Sequence, residues 1–399
     1  MMLARHLDRT LVIPPFYRHH FAAERMNNDG DMIVDAQSRV NIEKIREYLS
    51  TVPLETMKKH CEKIDIQLIS KPLIATQRKQ RVQEFIDYTG YNLFFSNIQN
   101  SEDIPKLPKS SPSDGITGQI EDRQFWQNLY NSDGKCAVLV LPYMMMKYTN
   151  AWNHNNTETD HLVWELLDHV RMSDHIFQLR DLFISEHFGG IDYLAVHWRF
   201  DPQDWGRGCY RKSSNNSREN HGLCKLLDMA NKDIAGALLF HLARKMDNQH
   251  DLGNLVNTGI YIASPPKSQK KIEDVLEHVK RFWLKTQSSV QDFRIYSTSY
   301  LEKWIKFRFP ECSLAEDSET ISMLEQAIAM ESFSFINAQS SSWSYRVVTH
   351  RKLARKTLWH DASISSAIDA YNGVFSRESE GKNPQLIQTR EIINQYLEE

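Results

Sequence analysis

The chain has 399 residues, 41% hydrophobic and 25% charged, which fits two or three globular domains and excludes a small binding module or a wholly disordered chain. Its 48 Lys and Arg against 51 Asp and Glu leave a formal net charge of -3, so nothing attracts nucleic acid or an anionic membrane globally. Any phosphate recognition has to be local. No apolar run approaches the roughly 20 residues of a membrane helix, and the N-terminus lacks the charged and apolar regions of a signal peptide. Five cysteines are too few for a disulfide scaffold, and no CxxC pair suggests zinc; Cys209 and Cys224 could bridge a polar loop. The sequons at Asn155 and Asn215 lie in polar stretches that read as surface loops and lend weak support to a lumenal protein.

In chain order, residues 2–7 look like the last turns of a helix and residues 9–13 like a strand stopped by Pro14-Pro15. A helix feeding a buried parallel strand needs an earlier strand, so a segment preceding Met1 is expected. Ile42, Ile45 and Leu49 recur at helical spacing, residues 101–118 read as a long exposed loop, and residues 137–141 as a strand. From 161 to 188 apolar residues spaced by three and four predict one long amphipathic helix, ended by Gly189-Gly190. Residues 191–200 are apolar on both faces, the pattern of a central parallel strand. Further strands are expected at 259–263, 293–296 and 333–337, with helical patterns between them and a last amphipathic helix over 383–399. This alternation predicts an α/β protein: a first unit over 1–187, a second over 188–350 and a helical extension over 351–399.

Open parallel sheets bind ligands beyond the carboxyl ends of their strands, so strand ends carry the chemistry. His197 and Arg199 lie two residues apart on one face of the central strand's end, a pair suited to a diphosphate. The alternative is an arginine paired with Asp201 or Asp204 at a domain surface. After the strand ending at Asn337, Ser340-Ser341-Ser342 opens a helix whose N–H groups and hydroxyls could cradle phosphate; a plain serine cap is the alternative. Two such strand ends on one rim favour a nucleotide-sugar or similar donor. His161, Glu165 and His169 share a helix face and could hold a metal, but a solvated face is the better reading, as it is for Arg351, Lys352, Arg355 and Lys356. Met144 to Met146 are read as packing residues, and HExxH, GxSxG, P-loop and GxGxxG motifs are absent.

Three blocks resemble the GDP-fucose protein O-fucosyltransferases, in family order: residues 3–15; the run from Leu194 to Arg199 with Asp204-Trp205 and Cys209; and residues 325–350, with Phe335-Ile336 and Ser341-Ser342-Trp343-Ser344. The resemblance implies a GT-B-like architecture of two Rossmann-like domains, lacking here the first strand and glycine-rich loop, with the donor held mainly by the second. It implies inverting, metal-independent transfer of fucose from GDP-fucose, without a cofactor, to a Ser or Thr hydroxyl of a folded acceptor such as a small disulfide-rich module. It also implies a location in the endoplasmic reticulum lumen or secretory pathway. Carried over, Arg199 is the catalytic residue that clamps the diphosphate and helps the leaving group depart; His197, Asp204, Ser264, Ser341 and Ser342 join it in binding the donor. One departure concerns the nucleoside: where the family reads V-x-A-T-D, this chain has Ala263-Ser264-Pro265, so the hydroxyl stays and the carboxylate is gone. That change and the missing loop keep a second reading open, a fucosyltransferase-like binding protein or enzyme fragment without turnover. A third is an unrelated cytosolic α/β enzyme. Sequence leaves the acceptor and the oligomeric state undetermined.

Overall fold

A computed structural model of the chain describes residues 1, 4, 9–13, 16–17, 33–61, 66–69, 137–140, 165–199, 229–245, 258–286, 294–311, 317–338, 341–354, 361–372 and 384–398. Asp204, Cys209, Cys224, Met144 to Met146, both sequons and the expected loop over 101–118 lie outside them. The chain divides into two compact units, Met1–Asp174 and His175–Glu399.

In the first unit, β1 (Leu11–Ile13) pairs in parallel with β4 (Thr51–Pro53), and β5 (Ile66–Ile69) with β6 (Ala137–Val140). A short antiparallel pair, β2 (Phe16–Tyr17) and β3 (Ile33–Val34), completes the described strands of this unit. Helix α1 (Ile42–Tyr48) starts where the Asn41 side chain accepts the Lys44 N–H, and it buries Ile45 and Tyr48 beside Val40 and Leu49. Helix α2 (Leu54–His60) follows β4, and Cys61 at its end is bonded in a disulfide.

The single helix expected over 161–188 is two. The chain is helical at 165–169, leaves the helix to form a β-bridge between Met172 and Val40, and resumes as α3 (Asp174–His187). The Ser173 hydroxyl donates to the Ser38 carbonyl, and Asn41 Nδ2 donates to Asp174 Oδ1 at 2.9 Å. These contacts reward the break locally. Periodicity alone could not show it, because the apolar spacing continues across residues 170–173. His169 is likewise engaged, its Nδ1 lying 3.0 Å from the Lys44 carbonyl oxygen and its ring 5.2 Å from that of Tyr48.

The second unit is built on five parallel strands in the order β11 (Ala362–Ser363), β10 (Ser334–Asn337), β7 (Tyr193–His197), β8 (Gly259–Ala263), β9 (Ile295–Ser297). Taken in chain order from β7, that is the 3-2-1-4-5 order of a Rossmann fold, with its switch point between β7 and β10. Every residue of β7 and β8 is buried, as their unbroken apolar runs require. Leu194, Val196, Ile260, Ile262 and Ile336 join one core with α4 (Asn231–Lys245), α5 (Gln269–Thr286), α9 (Ile364–Tyr371) and α10 (Pro384–Glu398). Their neighbours in sequence face the other way, toward α6 (Thr298–Arg308), α7 (Ser318–Glu331) and α8 (Ser342–Leu353): the Tyr193 hydroxyl donates to the Ile328 carbonyl at 2.7 Å. Helix α3 joins this side, where Phe183 packs edge-on against Tyr261, so the unit begins in the first turn of the helix, at His175, rather than at residue 188. Helices α9 and α10 pack on α4 and form part of the same core instead of a separate extension.

Arg351 corrects the solvated reading of its helix face. It is 1% exposed, with Nε and Nη2 each 2.9 Å from Asp361 carboxylate oxygens and Nη2 also donating to the Phe333 carbonyl. Asp361 in turn accepts the Phe335 N–H at 2.9 Å. The fork therefore ties the starts of β10 and β11 to α8.

Candidate functional site

Strand β7 ends at His197, and the Trp198 N–H extends the ladder to the Ala263 carbonyl at 2.8 Å. Alternation sends Trp198 into the core and His197 toward α8. There the imidazole, 7% exposed, stacks on the Trp343 indole at 4.0 Å and 29°. Trp343 is itself fixed, its Nε1 donating to Ser322 Oγ at 3.0 Å. Nδ1 of His197 lies 2.8 Å from Ser344 Oγ, which also accepts the Ala338 N–H at 3.0 Å. Burial first, and the Arg199 charge second, pull the His197 pKa down to about 3, so the ring is neutral at physiological pH. We assign the Ser344 proton to Nδ1, which satisfies the serine on both sides and puts the ring proton on Nε2.

Two residues on, Arg199 is exposed and its Nη1 donates to Ser341 Oγ at 3.2 Å. Ser341 is the N-cap of α8, its hydroxyl oxygen accepting the Ser344 N–H. Ser342 opens the helix and is exposed. Arginine, cap serine and the free N–H groups of a helix start thus meet across the β7–β10 switch point, an arrangement that can bind a phosphate.

Ser264, the residue after β8, is 5% exposed. Its N–H donates to Thr298 Oγ1 at 2.9 Å, and its own Oγ is buried without a hydrogen-bond partner. So the structure places His197, Arg199, Ser341 and Ser342 around one helix start, Ser264 stands on the adjoining strand end, and Asp204 falls outside the described residues. Sequence reading passed over Ser344 and Trp343 as functional groups, although both stood in the motif it quoted. The usable signal was the period of two in β7, which aims His197 at whatever follows the cap. Among the described residues no three His, Cys, Asp or Glu side chains cluster as metal ligands, and no helix is long and apolar enough to cross a membrane.

The parallel sheet and its anion-ready rim define the class: an α/β domain of the nucleotide-binding, Rossmann-like kind. The family model for GDP-fucose protein O-fucosyltransferase matches residues 1–354. The chain belongs to that family, and with it to the GDP-fucose-dependent fucosyltransferases. It is similar in fold to crystal structures of POFUT1. For the complex with GDP-fucose the identity is 14% and the TM-score 0.52, covering 90% of this chain and 91% of that one. For the complex with GDP the values are 15% and 0.51, covering 90% of each chain. No curated protein matches the chain by sequence.

Proposed function

We propose that the chain transfers fucose from GDP-fucose to a Ser or Thr hydroxyl of a folded protein acceptor, with inversion and without a metal. The observation that carries this reading is the meeting of Arg199 with Ser341 at the switch point, in a chain of this family. Arg199 clamps the diphosphate. As the bond between fucose C1 and the β-phosphate oxygen breaks, negative charge grows on that oxygen and the guanidinium stabilises it. The acceptor oxygen attacks C1 from the opposite face, its proton passes to solvent water, and GDP leaves with the electron pair of the broken C1–O bond. His197 offers Nε2–H as a fixed donor to the nucleotide, while Ser341, Ser342 and the first N–H groups of α8 hold phosphate oxygens. Ser264 serves the nucleoside with a hydroxyl in place of a carboxylate, and Asp204 orients the arginine or the donor. A secretory-pathway location fits both the family and the disulfide at Cys61, since such bonds persist in oxidising compartments.

Calorimetric titration with GDP-fucose, against GDP-mannose and UDP-sugars, tests the reading. Selective GDP-fucose binding that Arg199→Ala abolishes is the expected result; unchanged affinity in that variant would sink it. Binding without transfer to any acceptor would select the reading of a fucosyltransferase-like binding protein, which the missing carboxylate at Pro265 favours.

A further inference from the structure

Behind Ser264 lies a buried network that the transfer chemistry does not use. Thr298, 3% exposed, places Oγ1 within reach of three groups: the Ser264 N–H at 2.9 Å, the Ser264 carbonyl at 3.1 Å and Glu325 Oε1, the shortest contact of the three. Glu325 is 6% exposed and also accepts the Tyr261 hydroxyl at 3.0 Å. A threonine hydroxyl has one proton to give. That proton goes to Glu325 Oε1, the nearest acceptor, and the oxygen lone pairs turn to the Ser264 N–H.

That N–H has no sheet partner, because the β8–β9 register ends at Ile262 opposite Ser297. The next two residues, Pro265 and Pro266, carry no N–H. Ser264 is therefore the one donor by which this short segment of the rim can be held, and Thr298 holds it. The serine's own Oγ stays buried and unpaired, and leaving a polar group so is unfavourable unless a ligand meets it.

We propose that Thr298 and Glu325 are positioning residues for the donor site: the carboxylate sets the Thr298 hydroxyl, the hydroxyl sets Ser264, and Ser264 Oγ meets the nucleoside of the GDP-sugar. The inference rests on the reading of the site as one for GDP-fucose. It also explains how the rim works with a proline pair where the family has a carboxylate: rigidity of a neutral donor and acceptor replaces a charge.

The test is a double-mutant cycle on GDP-fucose affinity, read by calorimetry with thermal melting alongside. Thr298→Val, which keeps shape and removes the hydroxyl, should weaken binding about tenfold, and Ser264→Ala by a similar factor, each about 1.4 kcal/mol. The double variant should bind no more weakly than either single one, because both act through one hydroxyl. Thr298→Ser should restore wild-type affinity, which a merely structural role would not require. Should the valine variant not fold, Thr298→Ala takes its place in the cycle. Wild-type affinity in the Thr298 variant, or losses that multiply in the double variant, would overturn the inference. Absence of GDP-fucose binding by the folded wild-type chain would instead overturn the reading on which it rests.

Discussion

The hydroxyl of Ser344 stands 2.8 Å from Nδ1 of His197, joining the first turn of α8 to the last residue of the central strand. Because the same hydroxyl accepts the Ala338 N–H, one serine fixes a ring tautomer and closes the turn between β10 and its helix. Ser344→Ala should leave both partners unmet in a buried place, lowering stability by about 1–3 kcal/mol. It should also release the imidazole to turn against Trp343, raising the Kd for GDP-fucose about tenfold. Titration of the variant at a temperature well below its melting point separates the two effects; an unchanged Kd would show that the tautomer does not matter for binding.

The depressed pKa of His197 makes a pH prediction whose sign is fixed. Below the ordinary imidazole value of 6.5 the unfolded chain takes up a proton that the folded ring, titrating near 3, refuses. The unfolded state then binds more protons, so stability falls as pH falls from about 6.5 toward 3, by up to about 1.4 kcal/mol per pH unit, and is unaffected by this group above that window. His187 adds to the slope in the same direction, since burial lowers its pKa as well and only the nearby Glu186 charge opposes this. Denaturant unfolding of wild type and His197→Gln between pH 7 and pH 5 should show a shallower slope in the variant. Parallel slopes would mean that the ring is solvated in the folded protein.

Arg351 is where the sequence was most misleading. Four basic residues at helical spacing read as a solvated face, and burial of a guanidinium carries no signature in spacing; its partner Asp361 lies ten residues on, beyond the helix. Removing one member of a buried, fully bonded pair is expected to lower stability by about 3–5 kcal/mol. Arg351→Lys should lose much of this too, because an ammonium cannot reproduce the fork to both carboxylate oxygens. Chemical denaturation reads the loss directly. A change under 1 kcal/mol for Arg351→Ala would show that the β10–β11 pair does not depend on the clamp.

What was legible follows from the kind of signal. Strands β7 and β8 were legible because strands covered on both faces are apolar along almost their whole length, and the cap at Ser341 because serine before a helix has a mechanical use. Contacts between residues far apart in the chain leave no periodic trace. The pairing of Val40 with Met172 broke a helix whose apolar spacing was unbroken, and the Glu325–Thr298–Ser264 network joins three elements through single hydrogen bonds. His197 could be aimed from the strand's period of two, while Ser344 as its partner needed the fold.

The helices after residue 353 provide the last test, because the sequence set them apart and the structure builds them into the core. Gly236 of α4 lies against Tyr371 of α9 so closely that a Cβ there would fall 2.2 Å from the tyrosine hydroxyl oxygen and 2.4 Å from the ring carbon bearing it. Tyr371 also donates to Asn394 Oδ1, tying α9 to α10, and Arg390 donates to the Tyr371 carbonyl. Glycine is needed here for close approach. Gly236→Ala should displace the ring and weaken both contacts, lowering stability by about 1–3 kcal/mol despite the better helix propensity of alanine. Tyr371→Phe in the alanine background should recover only part of the loss, since the ring carbon still clashes once the hydroxyl is gone. Amide hydrogen exchange over residues 364–371 and 384–398 locates the damage: faster exchange in both segments of Gly236→Ala is expected. Exchange confined to α4 would show that the C-terminal helices hold to the unit by other contacts.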